Sequence, residues 1–395
     1  MIGFDEAFAL AGASGRLLGV ELVALREAHR RIVAEPVVAA VASPPADVSA
    51  MDGYAVRDAD LAALPTTLPI AGASFAGRPF AGEFPEGACV RIFTGAAVPA
   101  GSDRVVVQEV VEHEGAAARF TQGLSPARYI RRAGSDFQAG EELLPPGTLL
   151  TPRALVAAAG ADAGHVRVAR RPLLRLLSTG DELVEPGTAR ASAHSIPESV
   201  GVGVAALAEE WGGQVERALR VPDELEAMEQ AAGEALAAAD LVVVTGGASV
   251  GEKDFAKAMF ASHGLELIFS KVAIKPGKPV WLGRAGGKLV LGLPGNPSSA
   301  LVTARLFLAP ILCGLTGRSP AETTAWRTLP LASPLEPIGE RETFARGFIE
   351  DGAVRLFGHQ DSSAQKVLAQ AGLLVRLPAG HQPVAAGTQV QIVEF

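Results

Sequence analysis

The chain reads as a multidomain protein of α/β and β type, organised around a doubly wound α/β unit. Three observations carry that reading. Between about residues 171 and 313, a short apolar run, a glycine-bearing polar loop and a helical stretch follow one another three times. That is the pattern of parallel strands joined by crossover helices. From about 40 to 130, and again after Pro320, short apolar runs are instead broken by Gly and Pro, which predicts mostly β structure. The 395 residues are enough for several such units, and a hydrophobic content of 48% excludes a disordered chain.

The elements follow in order. Residues 4–35 place Leu17, Leu18, Leu22, Leu25 and Ile32 at helical spacing, which predicts a helical segment. Val105-Val106-Val107 predicts a strand in the second segment. Thr151 before Pro152 predicts a helix over 152–159 with Thr151 as its N-cap. The first α/β unit is Leu173-Leu174-Arg175-Leu176-Leu177 running into Ser178-Thr179-Gly180-Asp181-Glu182-Leu183. Helical stretches near 198–211 and 223–239 follow. The second unit is Leu241-Val242-Val243-Val244-Thr245, apolar without alternation as a buried parallel strand is, running into Gly246 to Asp254. The third is Lys288 to Leu293 running into Pro294-Gly295-Asn296-Pro297-Ser298-Ser299. Further strands are predicted at 343–349, 354–357 and 389–393. In doubly wound sheets ligands sit beyond the carboxyl ends of the strands, so the three polar loops are expected around one site.

Composition narrows the classes of function. Cys89 and Cys313 stand far apart and predict two buried, reduced thiols, and the seven histidines show no zinc spacing. A net charge of −8 argues against non-specific nucleic-acid binding. No run of about 18 consecutive apolar residues predicts a membrane span. Met1 to Glu6 lacks a basic region followed by an apolar run, so the expected compartment is the cytoplasm.

Several loops carry residues suited to anion chemistry. Glycines at a strand-to-helix turn, as in Gly246-Gly247-Ala248-Ser249-Val250-Gly251, let backbone N–H groups approach a phosphate, and the helix N-terminus adds positive potential. Asp52, Asp136, Glu182 and Asp254 are loop carboxylates, suited to Mg²⁺ beside a phosphate and equally to capping a turn. Lys275-Pro276-Gly277-Lys278-Pro279 holds two ammonium groups on a stiff loop, a receptor for a compact dianion or an ordinary solvated turn. Thr94, in Arg91-Ile92-Phe93-Thr94-Gly95, offers a hydroxyl at a glycine turn.

Taken together, seven segments resemble the molybdopterin molybdenumtransferase family, which includes MoeA and the E domain of gephyrin. They are Ser49-Ala50-Met51-Asp52-Gly53-Tyr54-Ala55, Thr94-Gly95-Ala96-Ala97-Val98-Pro99, Arg131-Arg132-Ala133-Gly134-Ser135-Asp136, the Ser178 loop, the Gly246 loop through Asp254, the Lys275 loop and Leu293-Pro294-Gly295-Asn296-Pro297. The resemblance implies an elongated homodimer of four-domain subunits. A linking domain would comprise 21–40 with 137–170, and a mostly-β inserted domain 41–136. An α/β molybdopterin-binding domain, resembling the molybdopterin adenylyltransferase fold, would comprise 1–20 with 171–318, and a C-terminal β domain 319–395.

It further implies an enzyme that takes adenylylated molybdopterin and molybdate and, with Mg²⁺, inserts molybdenum and releases AMP. Its implied partners are molybdopterin adenylyltransferase and recipient molybdoenzymes or their chaperones. By position, Asp52, Thr94, Asp136, Glu182 and Asp254 are the implied catalytic set, Glu182 and Asp254 being the metal ligands. Gly180, Gly246, Gly247, Ser249, Gly251 and Asn296 are implied cofactor contacts. Lys275, Lys278, Pro294, Pro297, Ser298, Arg346 and Ser362 are the implied molybdate neighbourhood. Asp52 and Thr94 are expected to act in trans. Two departures, Val48 and Val200 where the family has Asn, leave two other readings beside insertion. One is a catalytically weak paralogue acting as a cofactor-binding scaffold or delivery protein; the other is a tungstate-preferring relative.

Overall fold

The computed structural model describes residues 1–122, 125–191, 193–216, 219–246, 255–337 and 339–395. The middle of the chain forms a seven-stranded sheet. Leu173–Thr179 pairs in parallel with Gln214–Val215, Leu219–Val221 and Leu241–Thr245, and Leu241–Thr245 pairs in parallel with Lys288–Leu293. The far edge departs from a purely parallel sheet. Trp281–Ala285 turns through Gly286 and Gly287 and runs antiparallel to Lys288–Leu293, and Glu266–Phe269 is antiparallel to it in turn. A two-residue glycine turn makes a hairpin the short route, with no crossover helix needed.

Both faces of the sheet are covered, which is why its strands read as unbroken apolar runs. Leu241 and Val243 pack on one face with helices Val200–Glu210 and Pro297–Thr303. Val242 and Val244 pack on the other with helix Leu225–Ala238. Helix Phe4–Ser14 joins the first face through Phe4, Ala7 and Ala11. Each such aliphatic side chain taken fully out of water contributes about 1.5–3 kcal/mol. The helix from Pro297 passes through a π-helical turn, Ala304–Leu308, into Ala309–Leu315. By length and composition Pro297–Leu315 is apolar enough to cross a membrane, although Arg305 interrupts its apolar run, and its apolar window is 89% buried inside the protein. Its hydrophobicity belongs to the core.

The flanking segments are β-rich, as their sequences predict. Arg104–Val107, Gly53–Val56, Cys89–Ile92, Thr66–Ser74, Ala117–Phe120 and Val111–Glu114 form one six-stranded sheet. A second six-stranded sheet gathers Glu342–Glu350, Ala353–Leu356, Leu373–Leu377, Gln389–Glu394 and Arg327–Pro330, and takes Ile274–Lys275 as an edge. Helix Pro152–Gly160 begins at Thr151, whose side chain accepts from Ala154 N. The helical reading of residues 4–35 holds only to Ser14. Val20–Ala24 is a strand antiparallel to His165–Ala169. At Gly15 a Cβ would stand 2.6 Å from Ile311 O, so the chain there lies against the Ala309–Leu315 helix and turns away. Leu17 and Leu22 are consequently exposed. Both cysteines are buried and free; burial pushes the Cys89 thiol up to about 12 and the Cys313 thiol up to about 11.

Candidate functional site

The parallel strands end in step. Ser178 lies opposite Thr245, and Thr245 opposite Leu293, so the three following loops leave one edge of the sheet together. Thr245 Oγ1 donates to Ser178 Oγ at 3.1 Å and Thr179 Oγ1 to Thr245 O at 3.3 Å, which ties the strand ends. Gly246 has φ 91°, and a Cβ on it would stand 2.5 Å from Thr179 O. Only glycine permits both that conformation and that approach. Residues 247–254 lie outside the described residues, and with them Gly247, Ser249, Gly251 and Asp254.

Beyond these strand ends lies a cavity of about 640 Å³. Gly180, Glu182, Gly246, Pro294, Asn296 and Pro297 all line it. Of the lining residues outside the sequence-derived set, Glu198, Asp223 and Ser199 bear on the chemistry. Glu198 is buried, with 7% exposure, and its Oε1 accepts from Gly201 N at 2.7 Å at the start of helix Val200–Glu210. That carboxylate caps the helix, so Val200 is free to face the core, where it packs with Val204 and Leu207. Asp223 stands between strand Leu219–Val221 and helix Leu225–Ala238, and its backbone N–H donates to Asp181. Ser199 completes the rim. The signal for Glu198 was present, an acid just ahead of a helical stretch. The three-residue strand before Asp223 is too short to read.

A second cavity, of about 610 Å³, adjoins the first through Pro279, Pro294 and Asn296. Lys275 and Lys278 line it, with Arg341, His359 and Ser362. The lysine loop is held down by Gly277, whose Cβ would stand 2.2 Å from Thr303 Cγ2. Arg341 donates to Ile274 O at 3.1 Å and adds a third cation that no local sequence pattern marks. Ser298 is buried beside the junction: its N–H donates to Ser362 O at 3.0 Å, and its Oγ to Ala364 O at 3.2 Å.

Arg346 has no exposed surface and stands behind this wall. Its Nε donates to Gln360 Oε1 at 3.1 Å and its Nη1 to Asp361 O at 2.8 Å, which holds the loop carrying Ser362. Its Nη2 is buried without a partner among the described residues, and burial lowers the guanidinium's pKa. Asp361 accepts from the hydroxyl and the N–H of Ser363, and both hold its carboxyl below the usual range.

Asp52, Thr94 and Asp136 line neither cavity. Asp52 Oδ1 accepts from Thr94 N at 2.7 Å and Thr94 Oγ1 at 2.8 Å. These two donors, with Arg91 nearby, hold the Asp52 carboxyl below its ordinary value. Asp136 is exposed on its loop, its N–H donating to Ser43 O. The structure therefore brings together the loop residues of the α/β unit and the C-terminal sheet, and leaves Asp52 and Thr94 beside strands Gly53–Val56 and Cys89–Ile92 and Asp136 on the loop after Ile130–Arg131. Among the described residues no three His, Cys, Asp or Glu side chains converge as a ready metal cage. Glu182 and Asp223 nevertheless share the first cavity, and hard carboxylate oxygens of this kind fit Mg²⁺, which keeps several waters and needs few protein ligands.

Comparisons with known proteins agree along the whole chain. Residues 2–161 match the family model for the MoeA N-terminal region (domain I and II), 175–313 that for a probable molybdopterin binding domain, and 328–395 that for the MoeA C-terminal region (domain IV). The crystal structure of the molybdopterin biosynthesis moeA protein from Pyrococcus horikoshii OT3 superposes with a TM-score of 0.84 at 25% identity, covering 100% of both chains. The molybdopterin molybdenumtransferase of Haemophilus influenzae is 38% identical over 386 residues, 95% of this chain and 94% of that protein. The one from Synechococcus elongatus is 35% identical over 385 residues, with the same coverage. This chain therefore belongs to the MoeA family of molybdopterin molybdenumtransferases.

Proposed function

We propose that this protein inserts molybdenum into adenylylated molybdopterin and releases AMP, a transferase step of molybdenum cofactor biosynthesis. One observation carries this assignment at the level of the site: two adjoining cavities share Pro279, Pro294 and Asn296 as a common wall. One is a glycine- and carboxylate-lined cleft at strand ends, suited to a phosphorylated cofactor. The other is lined by Lys275, Lys278 and Arg341, suited to an oxyanion. A donor and an acceptor held side by side react at low entropic cost.

In this reading the backbone at Gly180 and Gly246 and the helix start at Pro297 and Ser298 receive the cofactor phosphates. Lys275, Lys278, Arg341 and Ser362 hold molybdate, and Arg346 positions Ser362 rather than touching the anion. Gly247, Ser249, Gly251 and Asp254 belong to the same cofactor loop by sequence. Glu182 and Asp223, with Asp254, would hold Mg²⁺, which supplies charge neutralisation at the phosphoanhydride. Attack by water at the adenylyl phosphorus breaks its bond to the bridging oxygen: the water oxygen ends on AMP, and the bridging oxygen stays with the molybdopterin phosphate. The two lysines keep the second oxyanion in place during that step.

The four-domain division at 21–40 with 137–170, 41–136, 1–20 with 171–318, and 319–395 is part of the same reading. So are the homodimer, the cytoplasmic setting, and hand-over between an adenylyltransferase and recipient apoenzymes. Asp52, Thr94 and Asp136, which line neither cavity on this subunit, complete the cleft of the second subunit. The scaffold reading is not favoured, because the helix start keeps its Glu198 cap with Val200 in place of the family Asn.

The test is AMP release from adenylylated molybdopterin on purified protein, with molybdate and Mg²⁺ each present or omitted. Release that depends on both, with active cofactor formed, is the expected result; tight binding without release overturns the assignment. Mixing Asp52→Ala subunits with Glu182→Ala subunits tests action in trans, since shared sites regain activity only if the two residues come from different chains.

A further inference from the structure

A third cavity, of about 420 Å³, shares no lining residue with the other two. It lies where three parts of the chain meet: Arg30, the end of helix Val200–Glu210 with Arg305 and Arg318, and Arg327 with Glu394 from the C-terminal sheet. Four guanidinium groups in one small cavity demand an account of their charges. Arg318 pairs with Glu322 at 2.8 Å and Arg327 with Glu394 at 2.9 Å. Arg30 and Arg305 have no carboxylate partner among the described residues. Arg30 donates to the backbone oxygen of Glu210 at 2.8 Å and Arg305 Nε to that of Glu394 at 3.0 Å. Among the described lining side chains, Glu210 is the carboxylate left outside the two ion pairs, and it acts on Arg305 together with Glu394.

Arg305 carries the argument. It is 5% exposed, and its Nη1 is buried with no hydrogen-bond partner among the described residues. An unsatisfied buried charged donor is costly, of order 1–3 kcal/mol or more, and needs a reason. Trp211 lies under both Arg305 and Arg318, at 5.0 and 5.6 Å from ring centre to guanidinium carbon. Stacking holds a guanidinium by its face and leaves its N–H edge for an anion. Both unpaired arginines also sit on irregular backbone. Arg30 has φ 61°, and Arg305 belongs to the π-helical turn Ala304–Leu308. Such irregularities recur at functional sites.

We infer that this three-way junction is a second oxyanion site, separate from the insertion cleft, which takes a phosphate-type dianion through Arg30 and Arg305. Its volume admits inorganic phosphate or the phosphate group of a small organic ester. Occupied, it would clasp the segment around Arg30, the α/β unit and the C-terminal sheet together.

The test is calorimetric titration of the full chain with inorganic phosphate and, separately, with ribose 5-phosphate. The expected result is binding that weakens about tenfold or more in Arg30→Asn and in Arg305→Lys, and persists in a Lys275→Gln, Lys278→Gln double variant. Asn tolerates the left-handed backbone at position 30, so that exposed variant decides the matter should Arg305→Lys fail to fold. Tighter binding of the ester assigns an organic phosphate; equal binding assigns free phosphate. Unchanged binding in folded Arg30→Asn overturns the inference, as does loss of all binding in the double lysine variant.

Discussion

Asn296 Nδ2 donates to Ser362 Oγ across 2.9 Å, joining the last strand-end loop of the α/β unit to a loop of the C-terminal sheet. The two residues stand 66 positions apart in sequence. Ser298 reinforces the junction from the same loop, with its N–H on Ser362 O. Both cavities thus draw on two segments that meet, through Asn296 in each and through Ser363 in the first and Ser362 in the lysine-lined one.

Ser362→Ala removes the acceptor from Asn296 and leaves the main-chain bond to Ser298. The expected loss is about 0.5–1.5 kcal/mol of coupling, seen as an increase in KM for molybdate with little change in thermal midpoint. A double-mutant cycle with Asn296→Ala checks it. Additive effects would show that the contact has no energetic role.

Glu182 is exposed on the rim of the first cavity, so Glu182→Gln is expected to fold as the parent does. If this carboxylate holds the divalent ion, AMP release falls about 100-fold or more, because a charge stabiliser of the reacting centre is lost. The shortfall should narrow as Mg²⁺ is raised. Full activity at ordinary Mg²⁺ would remove Glu182 from the metal set.

Thr94 holds the Asp52 carboxyl below its ordinary value, first through its N–H and then through its hydroxyl. Asp52 is therefore ionised throughout the neutral range. Thr94→Val keeps the N–H donor and removes the hydroxyl. The acid limb of the pH–rate profile then moves to higher pH, and Thr94→Ser restores it. An unmoved limb in Thr94→Val would separate the pair from the reaction.

Gly246→Ala combines a positive φ with a Cβ 2.5 Å from Thr179 O. A destabilisation of about 1–3 kcal/mol is expected, with weaker binding of the cofactor. Urea unfolding measures the first and cofactor affinity the second. Gly287→Ala, also at positive φ but with open space around it, is the control for backbone strain alone.

Asp240 is partly buried, which by itself opposes ionisation. Arg170, donating at 2.9 and 3.0 Å, and the Leu173 N–H outweigh this and hold the carboxyl below its ordinary value. A depressed carboxylate stabilises the fold fully above the unfolded pKa of about 3.9, and that stabilisation is lost as pH falls through the lower folded value. Asp240→Asn should therefore be less stable than the parent near neutrality, with the gap closing below about pH 4. Thermal midpoints across that range decide it.

The strands and most helices of the α/β unit were legible because each is a local pattern. Leu241–Thr245 is apolar on both sides since both its faces are covered, and Thr151-Pro152 announces a helix by its own cap. The loop residues at Gly180, Glu182, Gly246 and Asn296 were legible for the same reason, as turn chemistry following a strand. Residues 15–24 were misread because Leu17, Leu18 and Leu22 fit a helical period, while the pairing that makes Val20–Ala24 a strand lies in His165–Ala169. The sequence by itself determined which glycine, carboxylate and lysine loops follow the strands, along with the family. Only the tertiary structure decided which of them meet. It seats Lys275 on an edge of the C-terminal sheet, puts Arg346 behind Ser362, and supplies Glu198, Asp223 and Arg341 to the walls. Those placements depend on contacts between residues far apart in the chain, and such contacts leave no period in the sequence.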